Sequence, residues 1–154
     1  MAGISLPDGL KGVTDGSDAA SGNIGQYAES TVTTGTLNAD GTYNAATSLS
    51  LGAGDWDVSG RCVYVQVGTT VNAIELVVNT TSGANTGSTL GRDRFQGLGT
   101  TLGGGVTGNG DNVSLSAPNV RFSVSSSTTV YLNIQATGGG TFNGRVCLSA
   151  RRIR

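Results

Sequence analysis

The chain reads as an all-β protein, a single antiparallel sandwich or jelly roll of about eight strands with an extended N-terminal arm. Three observations predict this. Of 154 residues, 26 are glycine, and serine with threonine supply 36 more, so small β-compatible residues alternate with frequent turn formers. Only 12% of residues are charged, and no run of Ala, Leu, Glu and Lys offers an amphipathic helix. A net charge of -1 beside abundant Val, Ile and Leu argues for a packed core rather than a disordered chain. This length suits one domain that buries roughly two thirds of its unfolded surface.

The elements follow in order. Residues 1–22 form the arm: Ile4, Leu6, Leu10 and Val13 are scattered among Pro7, glycines and aspartates, with neither a strand nor a helix period. The sandwich domain, 23–154, opens with a strand over Ile24–Thr34. Asn38-Ala-Asp-Gly41 predicts a turn, with Gly41 at a positive-φ position. Ala45–Leu51 alternates as a half-buried strand, and Gly52-Ala-Gly54 turns the chain again. The strongest strand is Gly54–Val67, where Trp56, Val58, Gly60, Cys62 and Tyr64 share one face and Asp55, Asp57, Ser59 and Arg61 the other. Trp56 and Val58 are its core anchors.

Val71–Asn79 follows. The stretch Thr80–Asn112 is glycine-rich and aperiodic, and reads as a long loop; such a loop inside a compact domain points to a function or a partner. Val113–Leu115, Val120–Ser125, Thr129–Ala136 and Phe142–Ile153 complete the set, with Gly138-Gly-Gly140 expected to turn between the last two.

Catalytic chemistry finds little support. There is no histidine to serve as a neutral-pH base. Asp55 and Asp57 sit at the i, i+2 spacing of a strand, roughly 6–7 Å apart. A glycosidase pair could use that spacing, but a solvated outer face accounts for it more simply. Gly108-Asn-Gly-Asp-Asn112 and Asp40-Gly41 offer one carboxylate each, too few for a calcium site that wants 6–8 oxygens. Gly103-Gly-Gly105 has no following lysine and opens no helix, so it is no phosphate loop. No catalytic residue, cofactor or metal is therefore expected.

The near-neutral charge gives no field toward nucleic acid, and no apolar stretch reaches the ~20 residues of a membrane helix. The N-terminus lacks the apolar core of a signal peptide, so synthesis in a cytoplasm is expected. Arg151 points away from Arg152 and Arg154 on a strand, so the terminal arginines make no one-sided basic patch. Cys62 and Cys147 have no metal-ligand spacing. Two buried thiols are expected; the alternative is a late disulfide worth on the order of 4 kcal/mol.

Four pieces carry a resemblance: Ser21-Gly-Asn-Ile-Gly25, Leu49-Ser-Leu-Gly-Ala-Gly-Asp-Trp-Asp-Val-Ser-Gly60, Thr128-Thr-Val-Tyr-Leu132 and Ser149-Ala-Arg-Arg-Ile-Arg154. In this order they resemble small trimeric β-sandwich structural proteins of tailed bacteriophages, either capsid decoration and head-fibre proteins or tail-fibre tips. The resemblance runs from about Ser21 to the end, and Gly-Asp-Trp-Asp-Val is its most specific part. Thr80–Asn112 and the two cysteines depart from it. It implies a homotrimeric virion component without enzymatic activity.

Within that class, the expected function is a capsid decoration (cement) subunit exposed on the head, bound to the major capsid protein or another virion protein. The arm residues Ile4, Leu6, Leu10 and Val13 would attach it. The alternative is a receptor-binding tip that recognises a host glycan or protein, with Arg92, Arg94 and Phe95 as contacts.

Overall fold

Two strands of 25 residues each organise the molecule. The computed structural model describes residues 19–65, 70–84, 90–91, 94–98 and 112–153. In chain order the strands are β1 (Tyr27–Leu51), β2 (Gly54–Val65), β3 (Thr70–Asn79), β4 (Leu90–Gly91), β5 (Arg94–Leu98), β6 (Asn112–Ser116), β7 (Val120–Val124) and β8 (Thr128–Arg152). Their pairings are all antiparallel. As predicted, the protein is an all-β sandwich of about eight strands.

Strand β8 is the hub. One of its edges pairs with β1 from Tyr27↔Arg151 to Leu51↔Thr128. Its other edge is divided. The C-terminal half pairs with β2, from Trp56↔Arg152 to Val65↔Asn143. The N-terminal half pairs with β3, from Asn79↔Tyr131 to Thr70↔Gly139. A first sheet thus contains the early half of β1, the late half of β8, β2, and then β6 and β7 side by side along β2. A second contains the late half of β1, the early half of β8, β3, β5 and β4.

The turn chemistry read at 38–41 and 138–140 does not reverse the chain. It makes the corners where β1 and β8 leave one layer and enter the other. Gly41 takes φ +81°, and the Asp40 carboxylate accepts the Thr42 amide N–H at 2.9 Å. Opposite them, β8 carries its three glycines between Thr137 and Thr141, and the register slips at Asn38/Asp40 and Asp40/Tyr43. Extra residues of this kind bend a strand and increase its twist without ending its pairing. The four short strands predicted on either side of those glycines are therefore two long ones. Side chains from the two halves of β1 even meet inside: Ser30 and Thr47 share a hydroxyl–hydroxyl hydrogen bond.

The core fills the space between the layers by strict alternation. Trp56, Val58, Cys62 and Tyr64 from β2 join Phe122 from β7 and Val146, Leu148 and Ala150 from β8. The second sheet contributes Ile74, Leu76 and Val78 from β3 and Val130, Leu132, Ile134 and Ala136 from β8. Trp56 and Val58, the expected anchors, are 1% and 0% exposed. The indole N–H donates to the Gly52 carbonyl at 2.9 Å, which ties the β1–β2 turn to the core.

Gly60 decides how closely the layers approach. A Cβ built there would lie 2.7 Å from Leu132 Cδ1 and 3.1 Å from Val78 Cγ2, both in the opposite sheet. The interval 80–112, read as one loop, contains β4 and β5; β5 extends the second sheet by pairing Val78 with Phe95.

Adding a side chain at Gly60 should overpack this contact. Gly60→Val is expected to cost about 1–3 kcal/mol in urea unfolding. Coupling it with Leu132→Ala should recover part of the loss relative to the sum of the two single variants.

Candidate functional site

Alternation that sends Trp56 and Val58 inward sends Asp55, Asp57, Ser59, Arg61 and Val63 outward on β2. Register then places Arg151, Ser149, Cys147 and Arg145 beside them on β8, and Tyr27, Glu29 and Thr31 beyond on β1. Arg121 and Ser123 of β7 complete the opposite side. The outer face of the first sheet is therefore a polar surface of short hydroxyl side chains framed by charges. Arg61, Arg121, Arg145 and Arg151, the exposed arginines among the described side chains, all lie on it.

Its charges hold the strands in register. Arg121 Nε donates to Asp57 at 2.9 Å, and the Ser123 hydroxyl donates to Asp55. Arg151 lies over the Tyr27 ring at 5.9 Å, while the Tyr27 hydroxyl donates to Glu29. That carboxylate, with burial second, raises the Tyr27 pKa above the usual phenol value. Ser59 and Ser149 share a hydrogen bond of 2.9 Å at the centre of the face. Arg61 and Arg145 make no ion pair among the described residues.

A trough crosses this face where β6 gives way to β7. Residues 117–119 bridge the two strands, and the Ala117 amide donates to the Gly60 carbonyl at 2.7 Å. Two adjoining hollows, of about 190 and 210 Å³, share Tyr27, Ser59 and Ser149. Asp57, Asn119 and Arg151 line one, and Arg61 and Ser116 the other. A third, wider hollow at the sandwich end is bordered by Gly54, Asp55 and Val124.

The carboxylate pair singled out in the sequence is thus engaged within the sheet, Asp55 by Ser123 and Asp57 by Arg121. Arg152 turns inward from Arg151 and covers Trp56 at 5.7 Å. Cys62 and Cys147 are both free and buried. They sit on adjacent strands but on opposite faces, since Cys62 pairs with Val146 and Cys147 with Arg61. The disulfide alternative is overturned, because side chains pointing apart cannot be bridged. Arg94 and Phe95 lie on the short strand β5 rather than in an open loop. Ile4, Leu6, Leu10, Val13 and Arg92 lie outside the described residues.

One polar cluster escaped the sequence reading entirely. Asn133 is fully buried on the outer side of the second sheet. Its amide N–H groups donate to Asn79 Oδ1 and to the Thr81 carbonyl, each at 2.9 Å, and its Oδ1 accepts the Gly83 N–H at 2.9 Å. Asn79 in turn donates to the Ala84 carbonyl at 2.9 Å. Residues 80–84 are thereby folded back over the sheet. Nothing in the local sequence marks Asn133 except its outward parity among Val130, Leu132 and Ile134.

No protein-family model matches the chain, and no curated protein matches it. Among solved structures, the chain is similar to that titled crystal structure of infectious bursal disease virus VP2 subviral particle. The TM-score is 0.48 at 11% identity, covering 85% of this chain. The chain spans 34% of the length of that protein.

Three measurements follow from this chemistry. Asn133→Leu removes the side-chain acceptor of the Gly83 N–H and one of the donors to Asn79 Oδ1, so it should cost about 1–3 kcal/mol for the Gly83 N–H it orphans. Arg121→Ala, which breaks only the exposed Asp57 pair, should cost about 0–1 kcal/mol.

The third concerns pH. Burial pushes the Cys62 thiol from an ordinary 9.0 up to about 12. Between those values the folded chain keeps a proton that the unfolded chain has released. That contribution to stability is complete below about 9 and is lost as pH rises through about 12. Thermal melts of Cys62→Val across this window should decline less steeply than those of the parent chain.

Proposed function

We propose that this chain is a non-enzymatic structural subunit of a bacteriophage virion, a trimeric decoration (cement) protein of the head. The reading rests on one observation. The four sequence pieces that carry the family resemblance, dispersed over more than a hundred residues, meet at one end of the sandwich. Gly25 of the first donates its N–H to the Arg152 carbonyl of the last at 2.8 Å. Asp57 and Val58 of the second pair with Arg151 and Ala150 of the last. Leu49 and Leu51 of the second pair with Val130 and Thr128 of the third. Segments that resemble a family and also share one hydrogen-bonded unit support a common architecture more strongly than isolated matches would.

The same end fits attachment. Ala19 lies there against Gly25, and Ile24, 48% exposed, stands beside them as an exposed large hydrophobic. The arm that precedes it carries four aperiodic apolar residues with no basis for folding on themselves. Docking Ile4, Leu6, Leu10 and Val13 onto a major capsid or other virion protein gives them cover. Three arms on one trimer would raise overall affinity by ~10²–10⁴ without new contacts.

The stoichiometry of purified particles tests the assignment. Quantitative mass spectrometry should find hundreds of copies per virion; a handful would instead favour the receptor-binding tip. A chain lacking residues 1–20 should remain a folded trimer by light scattering yet no longer join particles. Full occupancy by that truncated chain would remove the arm as the anchor. Asp55→Asn and Asp57→Asn should leave infectivity near the parent level, and loss of a polysaccharide-cleaving activity in either would overturn the non-enzymatic reading.

A further inference from the structure

We propose that the trough across the outer face of the first sheet binds a short acidic saccharide, about two sugar units long. Its two adjoining hollows, of about 190 and 210 Å³, together match that size. Their walls carry the group set that sugar hydroxyls need. Ser59, Ser149 and Ser116 supply hydroxyls that both donate and accept, Asn119 supplies an amide, and Asp57 a carboxylate. Tyr27 borders both hollows, with Arg151 over its ring at 5.9 Å, and supplies part of their apolar lining.

Charge selects the acidic class. Asp57 is neutralised by Arg121 at 2.9 Å, whereas Arg61 at the far end of the trough makes no ion pair among the described residues, its guanidinium hydrogen-bonding only the neighbouring Cys147 thiol there. Arg145 stands diagonally across from Arg61, two residues from its register partner Cys147, and adds a second exposed guanidinium. A carboxylate on the ligand would meet a planar, bidentate donor there.

The architecture disfavours a peptide. Ser59 and Gly60 lie inside the ladder, paired with Ser149 and Leu148 on one side. On the other, the Gly60 carbonyl is taken by Ala117 N–H. Among the described residues no strand edge is open at the trough for an added main chain, so recognition falls to side chains.

Titration of the full chain with digalacturonic acid, followed by protein NMR or calorimetry, tests the site. Saturable binding is expected, with maltose at least tenfold weaker. Arg61→Ala and Ser59→Val should each weaken digalacturonate binding at least tenfold while the melting temperature stays within a few degrees. Absence of binding, equal binding of maltose, or binding unchanged in both variants would overturn the proposal. So would displacement of the sugar by an Asp-Glu dipeptide at equal concentration, which would mark a generic acid site. Copy number on the virion is decided separately, so either reading can fail alone.

Discussion

The hydrogen-bond ladder of β8 is the constraint from which the rest of the structure follows. Its 25 residues satisfy one continuous partner, β1, along one edge and two successive partners, β2 and β3, along the other. A flat ribbon of that length would expose the apolar residues of every inward position. Bending it at the Gly41 and Gly138–Gly140 corners folds the ladder onto itself, so that Leu148 and Leu132 of one strand serve opposing layers of one core. Gly60 then sets the spacing, since the side chains of Leu132 and Val78 occupy the place of its missing Cβ. Core and corners depend on each other: without the bend there is no second layer, and without the open position at Gly60 the side chains of Leu132 and Val78 would have to shift.

The polar groups divide by layer. On the outer face of the first sheet, hydroxyls and ion pairs remain accessible and hold strands in register at small energetic gain, as exposed pairs do. On the outer side of the second sheet, Asn133 and Asn79 are buried and fully committed to residues 80–84, where each lost hydrogen bond is costly. The first surface is chemically open to a ligand or a partner; the second is closed by its own chain. That contrast is why the proposed saccharide trough lies on the first.

Much of this was legible in the residues. Alternation over Gly54–Val65 placed Trp56 and Val58 inside and Asp55 and Asp57 outside, because a strand's two-residue period follows from backbone geometry alone. The turn chemistry at Asp40-Gly41 and Gly138–Gly140 was also located correctly, yet its outcome was misjudged. A positive-φ glycine permits either a hairpin or a bulged corner, and only the partner strand decides between them. Here the two glycine sites face each other across the β1–β8 pair, so both strands bend together and neither turns back. The strand Arg94–Leu98 escaped for a related reason: five residues inside a glycine-rich stretch show no period until β3 supplies an edge to pair with.

What the amino-acid sequence determined by itself was the all-β class, the inward and outward sets of each strand, and the absence of a histidine-based chemistry. These follow from local properties: propensity, parity and composition. The tertiary structure alone decided which strands are continuous, that Cys62 and Cys147 face away from each other, and that Asn133 is the pin of residues 80–84. It also brought Ser59, Ser149, Tyr27 and Arg61 to one trough. Each of these depends on pairing between segments about thirty to more than a hundred residues apart, and register over such separations is set by how the whole ladder closes around its core rather than by any residue's own neighbours.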